Sequence, residues 1–453
     1  MRITGFADGF DAQTMVEALM QAERLQQDRY NELAYEQELK FVAWDKVEAN
    51  LGDLQDKASE LTSISPWQQM VTTSTSESVA TLEADSTSAE GSYSLDVTKL
   101  ATSHRAGSDA QTDITSALGL AGSFTIGGQE ITIAADADLE NIRDAINLAA
   151  HDMADDEAVE ATIVDTTLVL SRKQTGATDI SIAADADDVL ESLGILDSSK
   201  AIRNVLTVAQ DLEAEVMGIP ISRASNTGLD DIITGVTLDI ASEGTSTLTV
   251  GRDRDTIKSL ISGFISTYNS TMAALEDQGN ATVGTAEDVV PATLQGDSLL
   301  RTIQSRSRSL LTGADGTGTL PAGLESLRRI GIWTTGKENR LSMGDSTALD
   351  EALDLNFDEV EDLFRDYNAG IMRGFETYAK SLTSAIDGTI NRRQENIQNR
   401  VDTYDEKIAD MERSLVSYEE SLWEKFTKME TVIAGFQAQS TYLSALFNQN
   451  TDD

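Results

Sequence analysis

The sequence predicts an α+β protein of several domains, with long helices at both ends and a β-rich block between them. Its 453 residues suffice for two to four domains. Only four prolines occur, at Pro66, Pro220, Pro291 and Pro321, so proline interrupts neither the first 65 residues nor the chain after Pro321. From about residue 71 the composition shifts to Thr, Ser and Val in period-two patterns, which favour strands.

The first segment contains one clear helical stripe, close to Pro66. Its apolar residues recur at three- and four-residue spacing: Trp44, Val47, Leu51, Leu54, Ala58 and Leu61. Upstream, apolar residues such as Leu19 and Leu25 lie among many Gln and Glu residues, so a helix there would be marginal in isolation. We therefore expect residues 1–40 to form a flexible N-terminal leg that orders only with a partner.

The last segment has the spacing of a coiled-coil seam. Steps of three and four residues join Ile397, Val401, Tyr404, Ile408, Met411, Leu415, Tyr418 and Leu422, and after one irregular step they join Phe426, Met429, Ile433, Phe436, Ser440, Leu443 and Phe447. The irregular step is a stutter, which locally unwinds a supercoil. The pattern fits pairing with another chain and equally fits packing against the Trp44 stripe of the same chain, and both can hold along different lengths.

Three hairpins and one repeat are predicted in the middle block. The hairpins span residues 123–133, 160–171 and 235–250, with turns at Gly127-Gly128, Asp165-Thr166 and Glu243-Gly244. The string ITIAADAD at residues 131–138 recurs as ISIAADAD at 180–187, and each copy predicts a strand, an acidic cap and a helix. After Arg252 helices resume, and residues 259–275 read as a buried helix, too polar for a membrane span.

Composition excludes several classes of function. Acidic residues number 77 against 34 Lys and Arg, and the net charge of −43 repels the phosphates of nucleic acid. With no cysteine and two histidines, the chain lacks disulfides, thiolate metal sites and cysteine nucleophiles. The start of the chain has neither the basic nor the apolar region of a secretory signal, so we expect no cleaved signal peptide and no membrane insertion.

No motif carries catalytic chemistry. Residues 331–338 satisfy the phosphate-loop spacing, but Glu338 stands where Ser or Thr must hold magnesium, and a turn at Gly336 between two strands explains the pattern. The acidic clusters lack calcium-loop spacing, so they read as solvated helix N-termini. His104 reads as a surface histidine, and His151 as a cation at a helix C-terminus. The sequence predicts no enzyme, no cofactor and no metal site.

Several strings resemble the bacterial flagellar filament cap family, hook-associated protein 2. The opening ITGFADGFD contains Ile3, Thr4, Gly5, Gly9 and Asp11, where the family has ITGLGSGLD. Further strings follow in family order: GSYSLDVTKLA (residues 91–101), RASN (223–226), IITGVTL (232–238), FISTYN (264–269), LQGD (294–297) and the C-terminal helix. Residues 122–178, with Ile146 and Asn147, also resemble the Ile-Asn motif domain of flagellins and hook-associated proteins.

The resemblance implies a long helical coiled-coil leg from both termini, a helix-rich middle domain and two inserted β-rich head domains. On this basis the flexible leg of residues 1–40 is followed by a helical leg domain of residues 41–71 and 256–410. Residues 72–105 and 205–255 form one head, residues 106–204 with the Ile-Asn motif form an outer head inserted in it, and residues 411–453 form a C-terminal coiled-coil leg.

By family likeness, the expected function is a homo-oligomeric ring at the distal tip of the extracellular flagellum. The ring would promote folding and insertion of exported flagellin at the filament end. The resemblance also implies contacts with hook-associated junction proteins and an export chaperone, and export through the flagellar channel. The alternative hypothesis is a surface adhesin that presents acidic β-rich heads on helical stalks.

Overall fold

The computed structural model describes residues 12–283, 289–312, 326–335, 339–344 and 346–449. The chain divides into a compact unit of residues Met1–Ile64 with Asp255–Asp453 and a second of Ser65–Arg254. We call them the helical unit and the β unit, and number their elements along the whole chain. The domain boundaries implied by the resemblance stay a prediction.

The helices of the helical unit are α1 (Ala12–Thr62), α5 (Arg254–Gly279), α6 (Ser298–Leu311), α7 (Thr347–Leu355), α8 (Phe357–Arg365), α9 (Ile371–Thr383) and α10 (Thr389–Gln449). A 3₁₀ turn spans Leu327–Ile330. Two short antiparallel pairs complete the unit: β16 (Thr282–Val283) with β17 (Val289–Val290), and β18 (Ile332–Thr335) with β19 (Arg340–Met343). Residues 332–335 of the phosphate-loop-like string form β18, and β19 follows the string, whose Gly336, Lys337 and Glu338 lie outside the described residues.

The predicted Trp44 stripe is buried along its whole length in α1. An aromatic cluster from α5 and α9 is buried in the same unit: Phe375 meets Phe264 edge-on at 5.6 Å between ring centroids and Tyr268 at 6.5 Å. Hydrogen bonds from Thr62 to Glu376 and from Thr383 to Gln55, each 2.9 Å, join α1 to α9. The predicted buried helix at residues 259–275 is confirmed as part of α5.

The β unit contains α2 (Ser65–Gln68), α3 (Leu139–Ala149), α4 (Val189–Ser192) and the strands of four sheets. These are β1 (Met70–Ser74), β2 (Ala80–Ala84), β3 (Gly91–Lys99), β4 (Arg105–Gly107), β5 (Gly122–Ile126), β6 (Gln129–Ile133), β7 (Val159–Val164), β8 (Thr167–Arg172), β9 (Ile182–Asp185), β10 (Val205–Thr207), β11 (Leu212–Val216), β12 (Ile219–Arg223), β13 (Leu229–Ile233), β14 (Val236–Ile240) and β15 (Gly244–Arg252).

Two hydrophobic cores lie within the β unit. The five-stranded sheet β1-β15-β3-β11-β12 and the three-stranded sheet β13-β14-β2 share the first, which we call the sandwich core. The sheets β10-β4-β8-β7 and β6-β5-β9 share the second with α3 and α4, and we call it the α3 core. All of these strand pairs are antiparallel.

Two of the three predicted hairpins are confirmed, and the third is wrong. Strands β5 and β6 pair directly, as do β7 and β8. In contrast, β14 pairs with β13 and β2, whereas β15 pairs with β1 and β3. After β14, the N–H of Ala241 donates to the carbonyl of Val79 at 2.8 Å, and the chain crosses to the other sheet. Both sheets are needed to fill the sandwich core, so the two strands separate.

The repeat is confirmed as strand, acidic cap and helix, with different caps. Asp138 caps α3 by accepting from the N–H of Asn141 at 2.8 Å, and Asn141 bonds back to Asp138. In the second copy, Asp185 at the end of β9 accepts from the N–H groups of Leu190 and Glu191, at 3.1 and 3.0 Å. A carboxylate therefore satisfies first-turn donors in both copies.

The interpretation of His104 as a surface residue is wrong. The side chain is 3% exposed, and its Nδ1 accepts a hydrogen bond from the N–H of Ile180 at 3.0 Å. The backbone carbonyl of His104 in turn accepts from the N–H of Arg172 at 3.0 Å. The sequence around His104 is strand-like, but it does not indicate that β8 and the loop after it cover this side chain. His151 is exposed just beyond the end of α3.

The loop after β8 fastens the α3 core to the sandwich core. The N–H of Gly176 donates to the carbonyl of Thr102 at 3.3 Å, and the N–H of Ala177 donates to Asp211 at 2.7 Å. Gly176 has a φ of +112°, and a Cβ built there would lie 2.8 Å from the Cβ of Ala224. The loop therefore needs glycine for both its conformation and its close approach.

The substitution Gly176→Ala should loosen this attachment. The strained backbone alone should cost about 1–3 kcal/mol, and the contact with Ala224 should add to it. Hydrogen exchange should accelerate at the amides of Gly176 and Ala177, which donate the two hydrogen bonds. Gly228→Ala is the matched control, because Gly228 also has a positive φ, +66°, but has no atom within 4 Å of an added Cβ. Equal effects of the two substitutions would contradict the proposed close contact.

Tyr378 in α9 should make stability fall at alkaline pH. Burial raises the pKa of its phenol to about 12, so the hydroxyl stays neutral in the fold while the unfolded chain ionises near pH 10. The stabilisation is fully present below pH 10 and is lost as pH rises through about 12. The free energy of unfolding of Tyr378→Phe should fall less steeply between these pH values. A difference from the parent chain that does not change with pH would contradict this assignment.

Candidate assembly surface

The two terminal helices pair antiparallel over most of α1. Near the start of α1, Val16 and Met20 pack with Leu415 and Leu422 of α10 in one hydrophobic cluster. Further along, the rings of Tyr30 and Tyr404 lie 6.0 Å apart. These contacts come at increasing positions in α1 and decreasing positions in α10. The intrachain interpretation of the seam therefore holds for this length.

Burial of the seam changes along α10. Ile408, Met411, Tyr418 and Phe426 are half-buried, and Leu415 and Leu422 are buried against α1. Beyond them Ile433 is half-buried, whereas Met429, Phe436 and Leu443 are exposed, Phe436 by 66% and Leu443 by 53%. Val16 and Met20, near the start of α1, are its residues in the hydrophobic cluster with Leu415 and Leu422.

Some predicted site residues lie outside the described part of the chain. The N-terminal motif residues Ile3, Thr4, Gly5, Gly9 and Asp11 are among them, and so is the side chain of Phe447. Beyond Phe426, the exposed apolar side chains also include Val432 at 55% and Tyr442 at 67%, which the predicted seam did not include. Each directly precedes a seam residue, so together they widen the exposed stripe on α10.

The exposed end of α10 is also uncharged. No Asp, Glu, Lys or Arg occurs from residue 431 to residue 451, in a chain of which 25% of the residues are charged. The last charges before this stretch include Lys428, which donates to Glu424 at 2.5 Å. We call residues 429–445 of α10 the distal stripe, since Met429, Val432, Phe436 and Leu443 follow three- and four-residue steps. Such a face suits docking on the apolar surface of another helix.

Within the described residues, no helix is both long and apolar enough to cross a lipid bilayer. The distal stripe is not apolar on all sides, because Gln437, Gln439, Ser440 and Ser444 are also exposed on this part of α10. A helix with apolar side chains on one face and polar side chains on the other typically packs against protein through the apolar face.

Comparison with known proteins decides the family. The family model for the C-terminus of flagellar hook-associated protein 2 matches residues 209–438, and the model for its N-terminus matches residues 8–104. The chain belongs to the flagellar hook-associated protein 2 family. The family resemblance carried by the sequence motifs is thus confirmed, and the C-terminal match includes the first part of the distal stripe.

Relatives of hook-associated protein 2 match along most of the chain. A-type flagellar hook-associated protein 2 of Pseudomonas aeruginosa is 26% identical, over 95% of this chain and 94% of the relative. Flagellar hook-associated protein 2 of Salmonella typhimurium is 27% identical, over 69% of this chain and 67% of the relative. The D1–D2–D3 domains of the flagellar cap protein FliD from Escherichia coli share the fold, with a TM-score of 0.53 over 79% of this chain and 99% of that structure, at 24% identity.

Proposed function

We propose that this member of the hook-associated protein 2 family caps the growing flagellar filament. Several copies form a ring at the distal end and promote the folding and insertion of exported flagellin subunits. The observation that carries the proposal is the distal stripe, because an apolar helix face without a cover in the described chain needs a partner. The α-helical seam supplies anchors at the spacing that helix-in-groove recognition uses.

Partial pairing of the terminal helices suits a cap that must stay attached while subunits are added beneath it. The paired half, from Ile408 to Phe426, holds α10 to its own chain. The distal stripe can then engage and release filament subunits without unfolding the leg. An isolated helix of this kind is only marginally stable, so docking would also order it. The entropy cost of that ordering lowers the affinity, so the cap can release one filament subunit and bind the next.

The same proposal assigns the partners and the location. The partners are other copies of the chain, flagellin and the filament end, hook-associated junction proteins and an export chaperone. The protein would reach the extracellular tip of the flagellum through the flagellar channel. The high content of carboxylates would keep the exposed heads soluble.

Deletion of the gene in its own bacterium tests the function. Filaments should disappear while monomeric flagellin accumulates in the medium, and purified chain added outside should restore growth at the tips. Normal filaments combined with failed surface attachment would overturn the cap and favour the adhesin. Normal filaments and normal attachment would overturn both.

A further inference from the structure

A small groove crosses the helical unit far from the distal stripe. Its volume is about 250 Å³, and three separate segments line it: α1, the loop before α6, and the first turns of α10. The lining includes Lys40, Gln295, Asp297, Arg393 and Arg400. The groove therefore gathers three basic side chains and one acidic side chain in a protein that is strongly acidic.

The single carboxylate of the groove is already engaged. Asp297 accepts from Arg393 at 2.5 Å and from the N–H of Leu299 at 2.8 Å, where it caps α6. Among the described residues, no carboxylate lies within ion-pair distance of Lys40 or Arg400. The groove therefore has two cations in excess, and each would gain from an incoming carboxylate.

The floor of the groove is apolar. Trp44, Leu294 and Ile397 line it and are buried. The indole Nε1 of Trp44 is buried and has no hydrogen-bond partner among the described residues. Cations at the rim and aliphatic or aromatic surface beneath them suit a ligand that carries a carboxylate next to an apolar group. Glutamate or aspartate beside a leucine has this chemistry.

Side chains of that chemistry are exposed elsewhere in the helical unit, within residues 351–362. Glu351 on α7 and Glu359 and Asp362 on α8 are exposed, and none of them has a cation partner among the described residues. Leu355, at the end of α7, is 78% exposed. We call these four residues the acidic corner. It matches the groove both in charge and in its apolar component.

We propose that the groove binds the acidic corner of a second copy of this chain. The two surfaces lie on different elements, so the contact is heterologous, and repeated rotation of such a contact produces a ring or a helical array. This inference rests on the proposed function and deepens it, because it names the residues by which neighbouring copies meet. Its test needs no flagellin, so its failure is distinguishable from failure of the cap function.

Charge reversal of the purified full-length chain tests the pairing by sedimentation at low salt. The groove variant Lys40→Glu with Arg400→Glu should weaken self-association by about tenfold or more, as should the corner variant Glu359→Lys with Asp362→Lys. Combining all four substitutions should restore association. Lys46→Glu with Lys425→Glu is the control of equal charge change, since both lysines are exposed outside the groove.

Crosslinking locates the contact directly. Because the chain has no cysteine, Gln295→Cys creates a single attachment point for a benzophenone label at the groove. In a mixture of labelled and isotope-marked chains, adducts should form between copies and contain residues of the acidic corner. Adducts elsewhere, a chain that does not self-associate, or no recovery in the fourfold variant would each overturn the proposal.

Discussion

Replacing Phe436 and Leu443 with aspartate should abolish filament growth while leaving the chain folded. Both side chains are exposed, so the substitutions remove no buried contact within the described chain. In a docked complex, however, each aspartate would place a charge in an apolar interface. If each position is an anchor of about 2 kcal/mol, docking weakens roughly a thousandfold. Purified variant added to cells that lack the gene should fail to restore filaments.

The matched control is Gln437→Asp with Ser444→Asp. It adds the same charge one residue further along α10, at two exposed polar positions beside the apolar side chains of the distal stripe. This variant should restore filament growth close to that of the parent chain. Full activity of the Phe436 and Leu443 variant would contradict the role of the distal stripe. Equal loss in both variants would point to charge on α10 rather than to the apolar face.

The terminal helices could be predicted because the spacing of apolar residues within each segment is enough to indicate a helix. Three- and four-residue spacing marks both the Trp44 stripe and the α10 seam, and both are buried where the helices pair. Spacing does not show where pairing stops, because that depends on which part of α1 lies opposite. The uncharged stretch from residue 431 to residue 451 is the sequence signal that could have separated the two halves.

Strand pairing in the β unit could be predicted only where a tight turn joins the two paired strands. Gly127 and Gly128 both have positive φ, as a tight hairpin turn requires, and β5 and β6 pair as expected. The strands β14 and β15 have similar local signals but separate, since the sandwich core needs side chains from two sheets. Tertiary packing overrides the local pattern there.

The structure also explains why asparagine suits three positions in the strings that resemble the family. Asn147, Asn226 and Asn269 each accept from the N–H and donate to the carbonyl of one residue in a distant segment. Their partners are Ala161, Ala101 and Leu341. An amide can serve both backbone groups at once, whereas aspartate can only accept. The motifs are visible in the sequence, but the partners are not.

The basic groove could not be predicted because its lining comes from three distant parts of the chain. More than two hundred residues separate Lys40 from Asp297, and nearly one hundred separate Asp297 from Arg393. None of them stands in a charge cluster that would attract notice. The string LQGD was recognised as family-like, and the structure places its Asp297 at the groove.

Phe375→Ala should strongly destabilise the helical unit. The ring is fully buried and contacts both Phe264 and Tyr268, so its removal loses apolar burial and leaves a cavity. Phe→Ala changes at such sites cost about 3–5 kcal/mol. Because α9 also packs on α1, hydrogen exchange should accelerate in α1, α5 and α9.

Hydrogen exchange resolved by peptide distinguishes this effect from a general loss of stability. The strands of the β unit have their own two cores, so their exchange should change little if the unit folds independently. Phe436→Ala is the control within the helical unit, because that ring is exposed and its loss should be nearly neutral. Equal effects of the two substitutions would contradict the aromatic cluster as a main source of stability. Acceleration across the β unit as well would show that the two units unfold together.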